Sequence, residues 1–251
     1  MANQTCAICG AEINVFQSQK LTDGTYICRK TCKKKGFKDY DYMHASLPAV
    51  KAHLEQVELG TKLWETYFIP RLKTKDKSQK LEVFYPVYVA PDVGLMAYVE
   101  TRYKIFIFGK SQLACVYRIA DLVGYDCETE TKQNQDGKTE TVTWCVLTFR
   151  NTAGLNPVKI RINGPKSFEK IEKYFNTLFG IQKTLGNAKN NWKSQIEAAK
   201  SLGAAIGAAV KGETEGLEDK AADAAAKLDA AVYGDRTELE QKADAAIAAV
   251  K

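Results

Sequence analysis

Histidine is nearly missing from this chain: 251 residues contain two, His44 and His53. A nucleophilic thiol needs a base beside it, and neither histidine stands near Cys115, Cys127 or Cys145 in the sequence. Surface or packing roles are expected for both. Long apolar runs are also missing. The longest weakly apolar stretch, "SLGAAIGAAV" from Ser201, is about half of the ~20 residues a membrane helix needs. The opening "MANQTCAICG" has no basic segment followed by an apolar one, so no secretory signal is expected. A soluble, cytoplasmic protein with reduced thiols is the expectation.

Catalytic signatures are missing too. There is no G-x-S-x-G, no H-E-x-x-H and no dinucleotide fingerprint. "FGKSQ" at Phe108–Gln112 imitates the end of a phosphate-binding loop, but Lys104 stands where the earlier glycine is required. No pair of carboxylates is placed for acid–base work. A non-enzymatic protein is therefore expected.

The net charge of +6 is a mild bias toward anionic partners. It is unevenly spread. From Asn190 onward 11 acidic residues outnumber 8 basic ones, so the excess of positive charge lies in the rest of the chain.

What is present is a cysteine pattern. Cys6 and Cys9 are spaced C-x2-C, and Cys28 and Cys32 are spaced C-x3-C. Between them "INVFQSQKL" alternates apolar and polar residues, "TDG" is a turn and "TYI" leads back, which reads as a hairpin. "KKKGF" after Cys32 reads as one helical turn stopped by Gly36. Four thiolates in two close pairs suit a tetrahedral zinc ion. An iron–sulfur centre draws on the same four thiolates. A redox pair would need a βαβ setting, and disulfides would need an oxidising compartment. A segment this short cannot bury enough apolar surface to fold alone. Structural zinc contributes roughly 10–16 kcal/mol of apparent binding free energy in small peptides, so the metal would be the core of residues 1–40. With all four positions filled by Cys6, Cys9, Cys28 and Cys32, no site is left open for catalysis.

This stretch resembles a family of short bacterial metal-binding modules of unknown function. The resemblance rests on "C-x-I-C-G", a "KL-x-DG" turn and a final cysteine pair before a basic helix. The matching residues are Cys6, Ile8, Cys9, Gly10, Lys20, Leu21, Asp23, Gly24, Cys28 and Cys32. It implies a treble-clef-like zinc fold. The family's last pair usually encloses two residues, and here there are three, "RKT".

Beside the cysteines lie Arg29, Lys30, Lys33, Lys34, Lys35 and Lys38. They read either as a solvated face offsetting a doubly negative zinc tetrathiolate, or as a phosphate-binding face for nucleic acid or an anionic membrane surface.

Residues 41–79 read as a helical and basic linker. Leu47, Val50, Leu54 and Val57 are at helical spacing, and the basic stretch Arg71–Lys80 follows. From Leu81 the period changes to that of strands: "LEVFYPVYVA", "LMAYVET", "KIFIFG", "LACVYRI", "LVGYDCETET", "TETVTWCVLTFR" and "NPVKIRING" are seven candidates. "PDVG" is the first turn and "NQDG" at Asn134–Gly137 a hairpin turn. An amphipathic helix follows, with Phe168, Ile171, Tyr174, Phe175, Leu178 and Phe179 on its apolar face. Residues 80–186 thus read as a seven-stranded antiparallel barrel plugged by a helix, an α+β fold. The stretch "VYRIADLVGYDCETE", the late hairpin and the helix resemble bacterial pleckstrin-homology-like (PH-like) domains. Eukaryotic pleckstrin-homology domains often hold phosphoinositides with basic residues in the loop between their first two strands; here that loop would be "APDVG", which has no Lys or Arg. The resemblance then implies a protein partner or self-assembly through exposed sheet edges.

Residues 187–251 form an alanine-rich tail with three helical pieces, about 187–211, 214–233 and 236–250. Leu217, Ala221, Ala224, Leu228 and Val232 line one face; Leu239, Ala243, Ile247 and Val250 line another. "GAAIG" at Gly203–Gly207 has the spacing that permits close helix approach. Faces this narrow bury little area, so these helices need a partner or one another. A scaffold that binds a protein or forms a homo-oligomer is the resulting expectation.

Overall fold

The computed structural model describes residues 4–104, 109–133, 139–180 and 236–251. They fall into two compact units, Met1–Ile162 together with Leu239–Lys251, and Asn163–Glu238.

The first unit begins with two small antiparallel ribbons. β1 (Gln4–Thr5) pairs with β2 (Glu12–Ile13), and β3 (Ser18–Lys20) pairs with β4 (Tyr26–Cys28). Gly24 closes the β3–β4 turn at φ +82°, a conformation open to glycine. Asp23 in this turn accepts from the backbone N–H of Thr25 (3.1 Å). Its second oxygen accepts from the N–H of Leu47 (2.6 Å). Leu47 opens helix α1 (Leu47–Leu63), whose own N-cap Ser46 makes no side-chain cap bond. The hairpin thus supplies the helix cap that the local sequence does not.

Helix α1 buries a stripe of Val50, His53, Val57, Gly60 and Leu63. A π-helical turn, Trp64–Phe68, continues it. Its N-terminal half packs on the cysteine ribbons, where Val50 joins Ile13, Leu21, Ile27 and Tyr42. Its C-terminal half packs on a sheet, where Leu63, Trp64 and Phe68 join Leu95, Ala97, Ala114 and Val116. The helical part of residues 41–79 therefore belongs to both cores.

That sheet has the order β5 (Glu82–Phe84), β6 (Val87–Ala90), β7 (Leu95–Lys104), β8 (Gly109–Arg118), all antiparallel. "LEVFYPVYVA" is two strands and not one. Phe84 pairs with Val87 across a turn at Tyr85–Pro86, since proline cannot donate to a continuing ladder. Of the candidate "KIFIFG", Lys104 ends β7 and Gly109 begins β8; the four residues between them lie outside the described residues. The loop between the first two strands is consequently Tyr85–Pro86, which also lacks Lys and Arg, while "PDVG" joins β6 to β7.

A 3-10 turn, Ile119–Asp121, leads to a second antiparallel sheet of order β11 (Val158–Ile162), β10 (Thr139–Phe149), β9 (Leu122–Gln133). β10 is central and buried on both faces: Val142 and Val146 on one, Cys145, Leu147 and Phe149 on the other. The "NQDG" turn lies outside the described residues. The expected single barrel is not what forms. Among the described residues, seven strands from Glu82 to Ile162 make one four-stranded and one three-stranded sheet, with no ladder joining β8 to β9. The turn between them, with Ile119, Ala120 and Asp121 all buried, breaks the pairing.

The second unit contains helix α2 (Pro165–Leu178), in which Ile171, Phe175 and Asn176 are buried. Phe175 stacks on Phe179 (6.1 Å), and the guanidinium of Arg236 lies over Phe179 (3.7 Å). Of the three tail pieces, the last is helix α3 (Thr237–Ala248); the others, with "GAAIG", lie outside the described residues. From Leu239 the chain belongs to the first unit, where Ala243 and Ala246 are buried beside Leu63, Trp64 and Leu95.

The contact of α1 with β8 is backbone to backbone. A Cβ on Gly60 would stand 2.5 Å from the carbonyl oxygen of Ala114 and 2.9 Å from the nitrogen of Val116. Thr61 accepts from the N–H of Ala114 (3.3 Å), and the indole of Trp64 donates to Gln112 (3.3 Å). In an open helix Gly→Ala stabilises by about 1 kcal/mol. Here Gly60→Ala is expected to destabilise by about 1–3 kcal/mol, because the rigid strand cannot give way. Urea unfolding checks the sign; a stabilised variant would show that the helix is not seated on the strand.

Candidate metal centre

The two cysteine pairs arrive from a loop and a strand end. Cys6 and Cys9 bracket a tight turn in which the N–H of Gly10 donates to the carbonyl of Cys6 (2.8 Å), with Gly10 at φ +73°. The N–H of Ala7 donates to the carbonyl of Tyr26 (2.8 Å), which ties this turn to β4. Cys28 ends β4, and Cys32 precedes the 3-10 turn Lys33–Lys35.

All four Sγ atoms lie within 4.8 Å of one another. Cys6 to Cys32 and Cys9 to Cys28 are both 3.8 Å. Four sulfurs bonded at 2.3 Å around a tetrahedral ion are about 3.8 Å apart, so the cluster has the dimensions of a single-ion shell. Cys6, Cys28 and Cys32 are buried and Cys9 is exposed. Backbone N–H groups point at the sulfurs: that of Cys28 donates to Cys6 Sγ (3.3 Å) and that of Cys32 to Cys28 Sγ (3.2 Å). Burial opposes ionisation of Cys6, yet the N–H groups of Cys9, Ile8 and Cys28 outweigh it and bring the thiol down to about 6. Cys28 is lowered as well, again against burial, by the N–H of Cys32 and its neighbours. Burial and the adjacent sulfurs push Cys32 upward. A cation among them reverses that repulsion, which is how a metal deprotonates a coordinating thiol. The donor set thus fits a metal ion, with Cys6, Cys9, Cys28 and Cys32 as its ligands.

The ribbon around the cysteines is pinned to its surroundings. Arg102 on β7 donates to the carbonyls of Lys34 and Gly36 (2.7 Å to the latter) and pairs with Glu100. Glu100 accepts from the N–H of Lys38 (3.0 Å). Gly36 does not stop the turn through a left-handed conformation; its φ is −102°. It is glycine for space, since a Cβ would stand 2.1 Å from the hydroxyl of Tyr42 and 2.9 Å from the ring of His53.

His53 lies fully buried. Its ring stacks on Tyr40 at 3.8 Å. Nε2 accepts from the N–H of Phe37 (3.3 Å), which leaves Nδ1 to donate to the carbonyl of Ala153 (3.2 Å). One neutral imidazole therefore joins the end of the cysteine ribbon, α1 and the loop after β10. His44 is exposed and pairs with Asp41 (2.7 Å). Local spacing carries no signal for His53 as a junction, nor for Glu100 and Arg102, because the backbone groups they bind are 16 to 100 residues away.

The basic cluster divides. Arg29, Lys30, Lys34, Lys35 and Lys38 are exposed. Lys33 is half-buried over the ring of Tyr42 (5.0 Å) and donates to Gln19 (3.3 Å). Of the Arg71–Lys80 segment, Arg71 is engaged with Asp92 (2.5 Å), and the lysines are exposed. Cys115 and Cys145 are buried and raised by burial to about 11 and about 12. Cys127 is exposed, directly across from Cys145.

A family model described as Domain of unknown function (DUF4428) matches residues 5–51, a span that holds all four cysteines and the start of α1. No curated protein and no solved structure matches the chain.

Burial holds His53 down at about 4, against 6.5 when exposed. Between those values the unfolded chain binds a proton that the folded one does not, so stability falls as pH drops from about 6.5 to about 4. The difference amounts to about 3 kcal/mol. Urea unfolding at pH 7.5 and pH 5 should show this slope in the native chain and lose it in His53→Gln; an unchanged slope would remove His53 as its source. Cys28→Ser should abolish metal retention, whereas Cys127→Ser should leave it at the native level, as read by elemental analysis of the dialysed proteins.

Proposed function

We propose that the protein is a non-enzymatic adaptor: its N-terminal module is held by structural zinc, and its two-sheet domain and tail present binding surfaces. The observation that carries this reading is the all-cysteine shell. Four protein sulfurs saturate a tetrahedral ion and leave no position for water or substrate. Zinc is favoured over iron because a lone redox-silent ion serves an anchor, and the spacing of the sulfurs suits one ion in place of a cluster.

A PH-like character of residues 80–186 is supported by the division of seven antiparallel strands into four and three, followed by amphipathic α2. A treble-clef-like character of the module is supported by a cysteine turn, a hairpin and a cysteine at the start of a helical turn. Headgroup binding of the phosphoinositide kind is disfavoured, since neither early loop carries a basic residue. A protein partner or a second copy fits better. Val15 and Phe16, adjacent on the module, expose 51% and 78% of their surface, which suits a protein contact.

Cobalt substitution tests the closed shell. The cobalt protein should show tetrahedral thiolate absorption that excess imidazole or cyanide leaves unchanged. A spectral shift on adding either ligand would reveal an open position and return catalysis to consideration.

A second reading rests on the exposed cations Arg29, Lys30, Lys34, Lys35 and Lys38, which share one stretch of chain beside the metal site. Binding to duplex DNA or anionic vesicles through them would weaken steeply with salt. Lys30→Glu with Lys34→Glu and Lys38→Glu should then lower affinity at least tenfold at 50 mM salt. Equal affinity for native and reversed proteins would dismiss this reading.

A further inference from the structure

Cys127 and Cys145 stand directly opposite each other where β9 pairs with β10. Both are free thiols. The kind of pair they form follows from backbone bonds further along β10, because successive residues of a strand turn their backbone groups to opposite neighbours. Phe149 turns toward β11: its N–H donates to the Asn156 side chain (3.0 Å), and its carbonyl accepts from that side chain (2.7 Å). Arg150 turns the other way, its N–H donating to the carbonyl of Asp121 (2.9 Å) just before β9. The register shift between Thr148 and Phe149 places its extra residue, Val123, on β9 and leaves the alternation of β10 intact. Stepping back by twos from Phe149, Cys145 also turns toward β11, where it opposes Ile160.

Cys145 and Cys127 are therefore a non-hydrogen-bonded pair. In such pairs the Cα atoms are about 4.5 Å apart and the side chains come closest. A disulfide needs Cα atoms roughly 4.4–6.8 Å apart, with the Cβ atoms turned toward each other. Directly opposed residues share a face of the sheet and meet both demands. Closure asks for rotation about two Cα–Cβ bonds and not for movement of either strand.

The two sulfurs differ in access. Cys127 is exposed on β9, an outer strand of its sheet among the described residues, whereas Cys145 is fully buried on the central strand. Burial raises Cys145 to about 12, and Cys127 and Asp126 add to the rise. An oxidant thus meets Cys127 first, and Cys145 reacts only with what Cys127 has become.

We propose that Cys127 and Cys145 are a redox pair that closes to a cross-strand disulfide when a small-molecule disulfide, such as oxidised glutathione, reaches Cys127. The Cys127 thiolate attacks one sulfur of the oxidant, forming a mixed disulfide and releasing one glutathione. Cys145 then gives up its proton and attacks the Cys127 sulfur, releasing the second glutathione. Two protein thiols are oxidised to one disulfide, one disulfide is reduced to two glutathione thiols, and the two protons pass to them. The bond staples an outer strand to the centre of its sheet. The pair shares no residue with the four-cysteine shell, so it is separable from the metal and from the adaptor reading.

Peptide mapping of the full chain after treatment with excess oxidised glutathione tests this. Peptides holding Cys127 and Cys145 should be recovered joined, from a protein of unchanged monomer mass in sedimentation. Amides of β9 should exchange at least tenfold more slowly once the bond is closed, and dithiothreitol should restore the original rate. In Cys145→Ala the reaction should stop at a glutathione adduct on Cys127. In Cys127→Ser, Cys145 should stay free and β9 exchange should not change. The native chain carries the decisive readout, so the test stands even if a variant fails to fold. A lasting glutathione adduct on Cys127 with Cys145 free, both thiols unmodified, or Cys127 joined to Cys127 of a second chain would each overturn the proposal.

Discussion

Four sulfurs drawn within bonding reach of one ion are the constraint from which the N-terminal architecture follows. The ribbons β1–β2 and β3–β4 are two and three residues long, too short to hold themselves. Without a cation, three buried thiols would pack against one another for little gain, and ionising one would raise the cost for the next. With a cation, the same crowding becomes a stable shell. The backbone N–H groups of Cys28 and Cys32 donate to the sulfurs of Cys6 and Cys28 and so set their direction.

Helix α1 carries that order into the rest of the fold. It is capped by Asp23 from the hairpin, buries Val50 among the cysteine ribbons, and presses Gly60 onto β8. His53 and the Glu100–Arg102 pair close the same junction from the sides. The module and the four-stranded sheet share one helix, and one buried imidazole bonds across the same junction. At the other end α3 packs against Gly94 by the same device, a glycine that lets two backbones meet.

The legible part of this molecule is the part written in local spacing. Cys6, Cys9, Cys28 and Cys32 announce a ligand set because metal geometry demands pairs of thiolates a few residues apart. Alternation marks β9, β10 and β11, and the periodicity of Leu47 to Val57 marks α1. Partnership between distant segments is not written there. Gly94 reads as part of a turn and Gly60 carries no signal at all, yet each serves a backbone contact. His53 reads as an isolated polar residue, yet its two nitrogens span the fold. "LEVFYPVYVA" reads as one strand because its apolar run is continuous, and only Pro86 hints at the turn. The barrel expectation could not see the buried 3-10 turn at Ile119–Asp121 that lies between the two sheets. The helical tail read as needing a partner; for its last piece that partner is the chain's own sheet.

The most direct measurement is X-ray absorption at the metal edge on the full chain as purified. The account predicts one metal ion per chain with four sulfur neighbours at about 2.3 Å and no oxygen or nitrogen neighbour. A folded, metal-free protein, or a shell with an oxygen or nitrogen ligand, would contradict it.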